Sequence, residues 1–301
     1  MKILSIVTIN YNNEKATKKF LLSLSTVNIP GICVEIIVVD NGSETPFVTD
    51  DKNTIIIRSD KNTGFTGGNN IGIKKALERG ANFVLIINND TVVSQNMISN
   101  LLKVLESDKK IGAVVPKIYF SKGHEYHKEK YKDSELGRVI WFAGGYMDWK
   151  NAQSVHIGLD EVDQGQYDKS HKINFATGCC ILLKREVLET IGLFDKKYFL
   201  YYEDADFSQR ITKSGYEIYY VPSAILYHDN AGSSGSGSEL HDYFLSRNQM
   251  IFGMRYAPLK TKAALLRQSL RLIRNGRQYQ KKGIVDFYLS SFNIGTYFNK
   301  T

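Results

Sequence analysis

Apolar and polar positions alternate in two rhythms over the first ninety residues. The runs KILSIVTI, VEIIVVD, NTIIIRS and FVLIIN read as strands, and helical spacing fills residues 14–25 and 70–79 between them. Continuous Val/Ile runs separated by helices predict an α/β fold: a Rossmann-like, mostly parallel sheet with helices on both faces. Such sheets take ligands beyond the carboxyl ends of their strands. Polar residues collect at those ends: Thr8, Asn10 and Tyr11 after the first run, Asp40, Asn41 and Gly42 after the second, Asn88, Asn89 and Asp90 after the fourth.

A helix over 95–107 and the strand GAVVPKIYF follow, then a polar stretch over 121–135 that reads as an exposed insertion. Strand patterns over 141–149 and 173–184, a helix over 203–214 and the strand IYYVPSAILY predict a second, α+β half. The run GSSGSGS at 232–238 is too flexible for regular structure. It divides a body, residues 1–240, from a helical C-terminal extension, residues 241–301.

Charge changes the picture only in that extension. Between Tyr243 and Val285 lie ten basic residues and no acidic one, whereas the rest of the chain has 29 basic residues against 31 acidic. There Leu259, Ala263, Leu266, Leu270 and Ile273 recur at helical spacing beside Arg267, Arg271 and Arg274, which makes a basic amphipathic helix. It either docks on the protein's own body or lies on an anionic membrane. A sister chain would accept the same stripe, which leaves a homodimer open. No nucleic-acid motif accompanies the charge, so nucleic acid is not an expected partner. No stretch reaches the roughly 20 apolar residues of a membrane span, and the N-terminus lacks a signal-peptide pattern. The expected location is the cytoplasm, with the inner face of the membrane as a peripheral station. The three cysteines, Cys33, Cys179 and Cys180, have neither disulfide-framework nor metal spacing and read as buried thiols.

Four constellations carry candidate chemistry. The segment NTGFTGGNNIG, residues 62–72, lies in a βα connection, where glycines let backbone amides approach a phosphate or sugar. It lacks the GKS/GKT of a Walker loop and the G-x-G-x-x-G spacing of a dinucleotide fold, and taken alone it reads more readily as an ordinary tight turn. Asp40 at a strand end can accept hydrogen bonds from a base or ribose, or simply begin a turn. Asn88-Asn89-Asp90 delivers a carboxylate to the sheet edge, as a ligand of Mg²⁺ or Mn²⁺ or as a helix cap. Glu203, Asp204 and Asp206 crowd one helical turn among aromatic residues, either to match the helix dipole or to raise a carboxylate toward a useful base. His228 ends a strand just before the Gly/Ser run, as a ligand followed by a mobile phosphate-covering loop would.

Taken in order, VTINYNN, VVDNGS, NTGFTGGNNIG, NND, WFAGG, TGCCILLKREV, GLFDKKYFLYYEDADFSQR and His228 resemble the inverting family 2 glycosyltransferases of GT-A fold, especially bacterial rhamnosyltransferase-like members. The resemblance covers residues 3–258 and makes 1–240 the catalytic domain. It implies transfer of a sugar from a dTDP- or UDP-linked donor to a glycan or lipid-linked glycan acceptor, with a divalent metal, Mg²⁺ or Mn²⁺. By position it implies that Thr8, Asn10, Tyr11 and Asp40 hold the nucleoside, with Asn62, Gly64, Gly68 and Asn69 beside the donor. Asn88-Asn89-Asp90 stands at the family's D-x-D motif, with Asn88 in place of the first aspartate. Asp90 is then the principal metal ligand and His228 the second. Asp204 becomes the base and Glu203 its acceptor-binding neighbour. Trp141, Gly144, Gly145, Thr177 and Gly178 line the sugar and acceptor pocket.

Three other readings compete. A degenerate nucleotide or glycan binder would explain Asn88 but not the intact Glu203-Asp204. A sugar-1-phosphate nucleotidyltransferase would carry a Gly-rich basic loop where this chain has NYNNEK. A basic RNA or membrane module would need the tail to be the working part.

Overall fold

The computed structural model describes residues 1–25, 27, 29–229 and 237–298. Most of the GSSGSGS run, and with it the expected phosphate-covering loop, lies outside the described residues. The strands are β1 (Lys2–Asn10), β2 (Ile32–Asn41), β3 (Thr54–Ser59), β4 (Phe83–Ile87), β5 (Thr91–Val93), β6 (Ile111–Phe120), β7 (Ile140–Phe142), β8 (Gly145–Asp148), β9 (Gln153–His156), β10 (His171–Ile173), β11 (Cys180–Lys184) and β12 (Glu217–His228). The α-helices are α1 (Glu14–Leu24), α2 (Gly64–Glu78), α3 (Met97–Leu105), α4 (Arg185–Ile191), α5 (Glu203–Lys213), α6 (Glu239–Tyr256), α7 (Leu259–Asn275) and α8 (Gln278–Tyr288).

The main sheet runs β10-β12-β6-β11-β4-β1-β2-β3, with β5 paired to β12 and β7 to β6. β3, β2, β1 and β4 are parallel, β11 is antiparallel to both β4 and β6, and β12 is parallel to β6. All the long strands therefore point one way except β11, as the apolar runs predict. Residues 4–8 of β1 and all of β4 are buried, so both faces of the sheet are covered. Alternation along β1 assigns the layers. Gly68 and Gly72 of α2 lie against Ile9 and Val7, whereas Thr17 of α1 bonds Asn10 on the opposite face.

Three expectations change. The Gly-rich segment is not a loop ahead of a helix at residue 70, because α2 already starts at Gly64. A Cβ on Gly72 would sit 2.3 Å from Val7 Cγ1, so close helix-to-sheet packing, not helix propensity, selects glycine there. The strands expected over 141–149 and 173–184 each divide in two, β7 from β8 at Ala143-Gly144 and β10 from β11 across residues 174–179. Asn88–Asp90 caps no helix, since short strand β5 follows directly. The 121–135 insertion is largely exposed, although Glu125 is buried and accepts from the Gly123 and Gly137 amides. Cys179 and Cys180 are buried; Cys33 is only half-buried.

The extension departs from one of its two readings. The face of α7 turned to the body carries Thr261, Leu265 and Ser269, whereas Leu259, Leu266, Leu270 and Ile273 are exposed. The stripe found by periodicity thus does not dock on the body.

Candidate active site

At the carboxyl ends of β1 and β2 a buried polar chain is tied off internally. Asn89 Nδ2 donates to Thr17 Oγ1, which donates to Asn10 Oδ1, and Asn10 Nδ2 reaches Asp40 and Ser43. Asp40 Oδ2 accepts from the Phe47 amide at 3.1 Å and from Arg58 at 2.5 Å. Burial alone would raise the Asp40 carboxyl, but bonds from Ser43, the Phe47 amide and Asn10, with the Arg58 charge, hold it below the usual range. Tyr11 is exposed beside this chain, and Thr8 is fully buried with a hydroxyl that meets no partner. Arg58 and Ser43, which close the chain, escape sequence reading because their partners are set by strand pairing and a turn.

Asn41 organises the start of α2. Its Oδ1 accepts from Thr63 N and Oγ1, its Nδ2 donates to Gly64 O, and Asn62 Oδ1 accepts from Gly64 N. Gly64 has φ +72°, and a Cβ there would lie 2.5 Å from Phe199 O, so this turn requires glycine. Gly68 meets Asn41 and Ile9, and Asn69 Nδ2 bonds Phe65 O within α2.

Asp90 and His228 converge. β12 pairs antiparallel with β5, which sets His228 opposite Thr91, and Asp229 N donates to Asp90 O. His228 Nε2 then lies 3.2 Å from Asp90 Oδ1. Buried Asp90 Oδ1 accepts no hydrogen bond, and His228 Nδ1 likewise has no partner. Asp90 Oδ1 with His228 Nε2 beside it, rather than Nδ1 on the far side of the ring, is the pair that fits a hard divalent cation with other oxygen ligands from a diphosphate and water. No group of three or more His, Cys, Asp or Glu side chains is placed to hold a metal ion among the described residues.

Trp141 stands edge-on to His228, with ring centroids 4.7 Å apart. It stands likewise against His156, a residue the sequence does not single out; burial pushes that imidazole down to about 4, so it is neutral at pH 7. Gly144 and Gly145 turn the chain between β7 and β8 against Ile173 and Phe175.

The acid pair opens α5. Tyr202, its N-cap, has φ 68°, and Phe199 and Tyr201 are also left-handed, at 64° and 67°. Each such non-glycine residue costs about 1–2 kcal/mol. Asp204 Oδ2 accepts from Gly178 N at 3.1 Å and Oδ1 from Ala205 N at 2.8 Å. Burial pushes the Asp204 carboxyl up to about 6 despite those amides. Burial and then the neighbouring Asp204 charge push Glu203 well above the carboxylate range; its Oε2 is buried without a partner. Asp204 itself is only partly buried, as a proton acceptor for a ligand must be. Asp206 has a different role: fully buried, it is held by Arg210, Arg255 and Tyr256.

Residues 177–179 join the two halves. Gly178 N binds Asp204, Cys179 O accepts from Asn88 N, and Thr177 Oγ1 accepts from Cys179 N. The β4 end that leads to Asp90 and the helix start that carries Asp204 are thus one residue apart along a shared strap.

A model of the family "Glycosyl transferase family 2" matches residues 5–192. A low-salt glycan biosynthesis hexosyltransferase of Haloferax volcanii is 27% identical over 71% of this chain and 63% of its own length. An N-acetylglucosaminyl-diphospho-decaprenol L-rhamnosyltransferase of Mycobacterium tuberculosis is 25% identical over 79% of this chain and 80% of its own. The crystal structure of GalNAc-T7 with UDP, GalNAc and Mn²⁺ aligns with TM-score 0.61 at 14% identity, over 91% of this chain and 57% of that one. At that identity the likeness establishes the fold, GT-A.

Proposed function

Because the chain belongs to glycosyl transferase family 2, we propose that it moves rhamnose or another hexose from a dTDP- or UDP-sugar to a hydroxyl of a cell-surface glycan precursor, with inversion. Residues 1–240 are read as the catalytic unit and 241–301 as its helical extension. The observation that carries this reading is Asp204, a half-buried carboxyl raised to about 6 and strapped through Gly178 to the strand end bearing Asp90. In the proposed step Asp204 takes the acceptor O–H proton as the oxygen bonds the anomeric carbon, and the bond to the nucleoside diphosphate breaks on the opposite face. Glu203 fixes the acceptor, and Thr8, Asn10, Tyr11 and Asp40 hold the nucleoside. Asp90 and His228 would hold Mg²⁺ or Mn²⁺, whose chemistry is to neutralise the charge on the departing diphosphate. Asn88 leaves that site with one fewer negative ligand than the family motif.

The extension supports a reading of the acceptor's class. Lys260, Arg267, Arg271 and Arg274 beside the exposed Leu259, Leu266, Leu270 and Ile273 form no ion pair among the described residues. That face suits an anionic membrane and hence a lipid-linked acceptor. Sedimentation with anionic liposomes at low salt tests it. Absent binding removes the membrane, and a salt-insensitive dimer reassigns the stripe to a sister chain. No described helix is long and apolar enough to cross a membrane.

The function itself is tested by nucleoside diphosphate release from dTDP-, UDP- and GDP-sugars with Mg²⁺, Mn²⁺ or EDTA. Release from one donor, dependent on metal and lost in Asp204→Asn, is expected. Absence of both release and donor binding would favour a non-catalytic binder.

A further inference from the structure

Of the eight non-glycine residues with left-handed φ among the described residues, three fall between Phe199 and Tyr202, immediately before the acid pair. Backbone of this kind persists only where its surroundings over-determine it. Here the surroundings come from α6, beyond the part of the chain that the family model matches. Asn248 is fully buried, and its Nδ2 lies 3.0, 2.8 and 2.9 Å from the carbonyl oxygens of Tyr198, Leu200 and Tyr201. Its Oδ1 accepts from Arg247 Nε at 3.0 Å, which fixes the amide with its N–H groups toward the segment. Arg247, also fully buried, donates to Asn293 O at 2.6 Å and Tyr198 O at 3.2 Å. Asn293 in turn binds the opposite end of the loop, N to Lys197 O at 2.8 Å and Nδ2 to Lys196 O at 2.7 Å.

On the other side the segment meets the donor turn, where Thr66 N donates to Phe199 O at 3.2 Å. A single amide therefore gathers three carbonyls of a strained turn whose next residues are Glu203 and Asp204. A carbonyl can point inward at each of these positions only while a donor waits for it, since a buried unpaired carbonyl is strongly disfavoured.

We propose that Asn248, oriented by Arg247, is a positioning residue that holds residues 198–202 in the left-handed form that aims Asp204 at the acceptor. The extension thereby completes the catalytic unit. The inference rests on the reading of Asp204 as base. It differs from a merely structural role in what it moves: loss of the amide should misplace the base and admit water around it, while the donor turns at Asp40 and Asn41 keep their own partners.

The experiment compares full-length wild type, Asn248→Ala, Asn248→Gln and Arg247→Lys in donor titrations and pH profiles of transfer, with circular dichroism to establish folding. In folded Asn248→Ala, kcat should fall about 100-fold with donor KM within about threefold, the scale of a misplaced reactive group. The acid limb of kcat/KM should move down from about pH 6, and Asn248→Gln, which keeps a donor, should recover part of kcat. If Asn248→Ala does not fold, Arg247→Lys carries the same expectations, because it keeps the charge but loses the Nε bond that orients Asn248 and the fork toward Tyr198 and Asn293. A folded variant with unchanged kcat, or a lower kcat with an unmoved acid limb, overturns the proposal. Asp204→Asn run alongside separates the two readings: wild-type transfer in that variant overturns the base, whatever Asn248 does.

Discussion

Two carboxylates at the same edge of the sheet live under opposite regimes. Asp40 is surrounded by donors, from Asn10, Ser43, the Phe47 amide and Arg58, and its pKa is driven down. Asp204 sits among aromatic and apolar neighbours with two backbone amides and no cation, and its pKa is driven up to about 6. The first arrangement makes a rigid, permanently charged wall suited to binding. The second leaves a carboxyl whose protonation can change near neutral pH, which is what proton transfer requires. The fold produces the contrast by where each residue stands: Asp40 between two parallel neighbours in the sheet, Asp204 on the first turn of a helix entered through strained backbone.

Perturbing each side should have distinct results. The largest effect is expected from Asp204→Asn, with transfer reduced about 10³-fold and donor affinity retained, read by single-turnover assay and donor titration. His228→Ala should lower transfer about 10- to 100-fold and raise the Mg²⁺ or Mn²⁺ concentration needed for half-maximal rate, because it removes one of the two proposed protein ligands, on the leaving-group side. Arg58→Ala acts on the binding wall: it should weaken donor binding with kcat little changed. It should also destabilise the fold by about 1 kcal/mol in urea titration, a modest value because the guanidinium is partly exposed.

The smallest effect is on stability and has the opposite sign. A carboxyl whose folded pKa is about 6 against an ordinary 3.8 binds a proton in the folded chain that the unfolded chain has released between those values. Stability contributed by this group therefore falls as pH rises from about 4 to about 6 and stays low above that window. Asp204→Asn should remove the deficit, making the variant more stable than wild type by on the order of 1 kcal/mol at pH 8 and not at pH 4. Chemical denaturation at the two pH values checks it.

The sequence made some of this legible and hid the rest for identifiable reasons. The strands and their polar ends could be read because Val/Ile runs bury themselves on both faces whatever their partners are. Asp90 and His228, 138 positions apart, were paired only through family resemblance; the β5–β12 register that sets them together is a long-range pairing. The start of α2 was missed because glycine has low helix propensity, while the reason for it, the Val7 and Ile9 side chains, lies in another strand. The α7 periodicity was correct, but its direction was not legible: an apolar stripe and a body-facing stripe of Thr261, Leu265 and Ser269 share one helix. That Asp206, in the same turn as Asp204, is taken up by Arg210 and Arg255 was not legible, because Arg255 lies on a distant helix. Asn248 gave no local signal at all, since its partners are backbone carbonyls some fifty residues away.

On the proposed mechanism Asp204, raised by its surroundings, is the group whose deprotonation permits transfer. The pH dependence of kcat/KM with a matched donor and acceptor tests it most directly. Wild type should show an acid limb with an inflection near 6, and the residual transfer of Asp204→Asn should show none. An inflection that persists unchanged in Asp204→Asn would contradict it and place the base elsewhere.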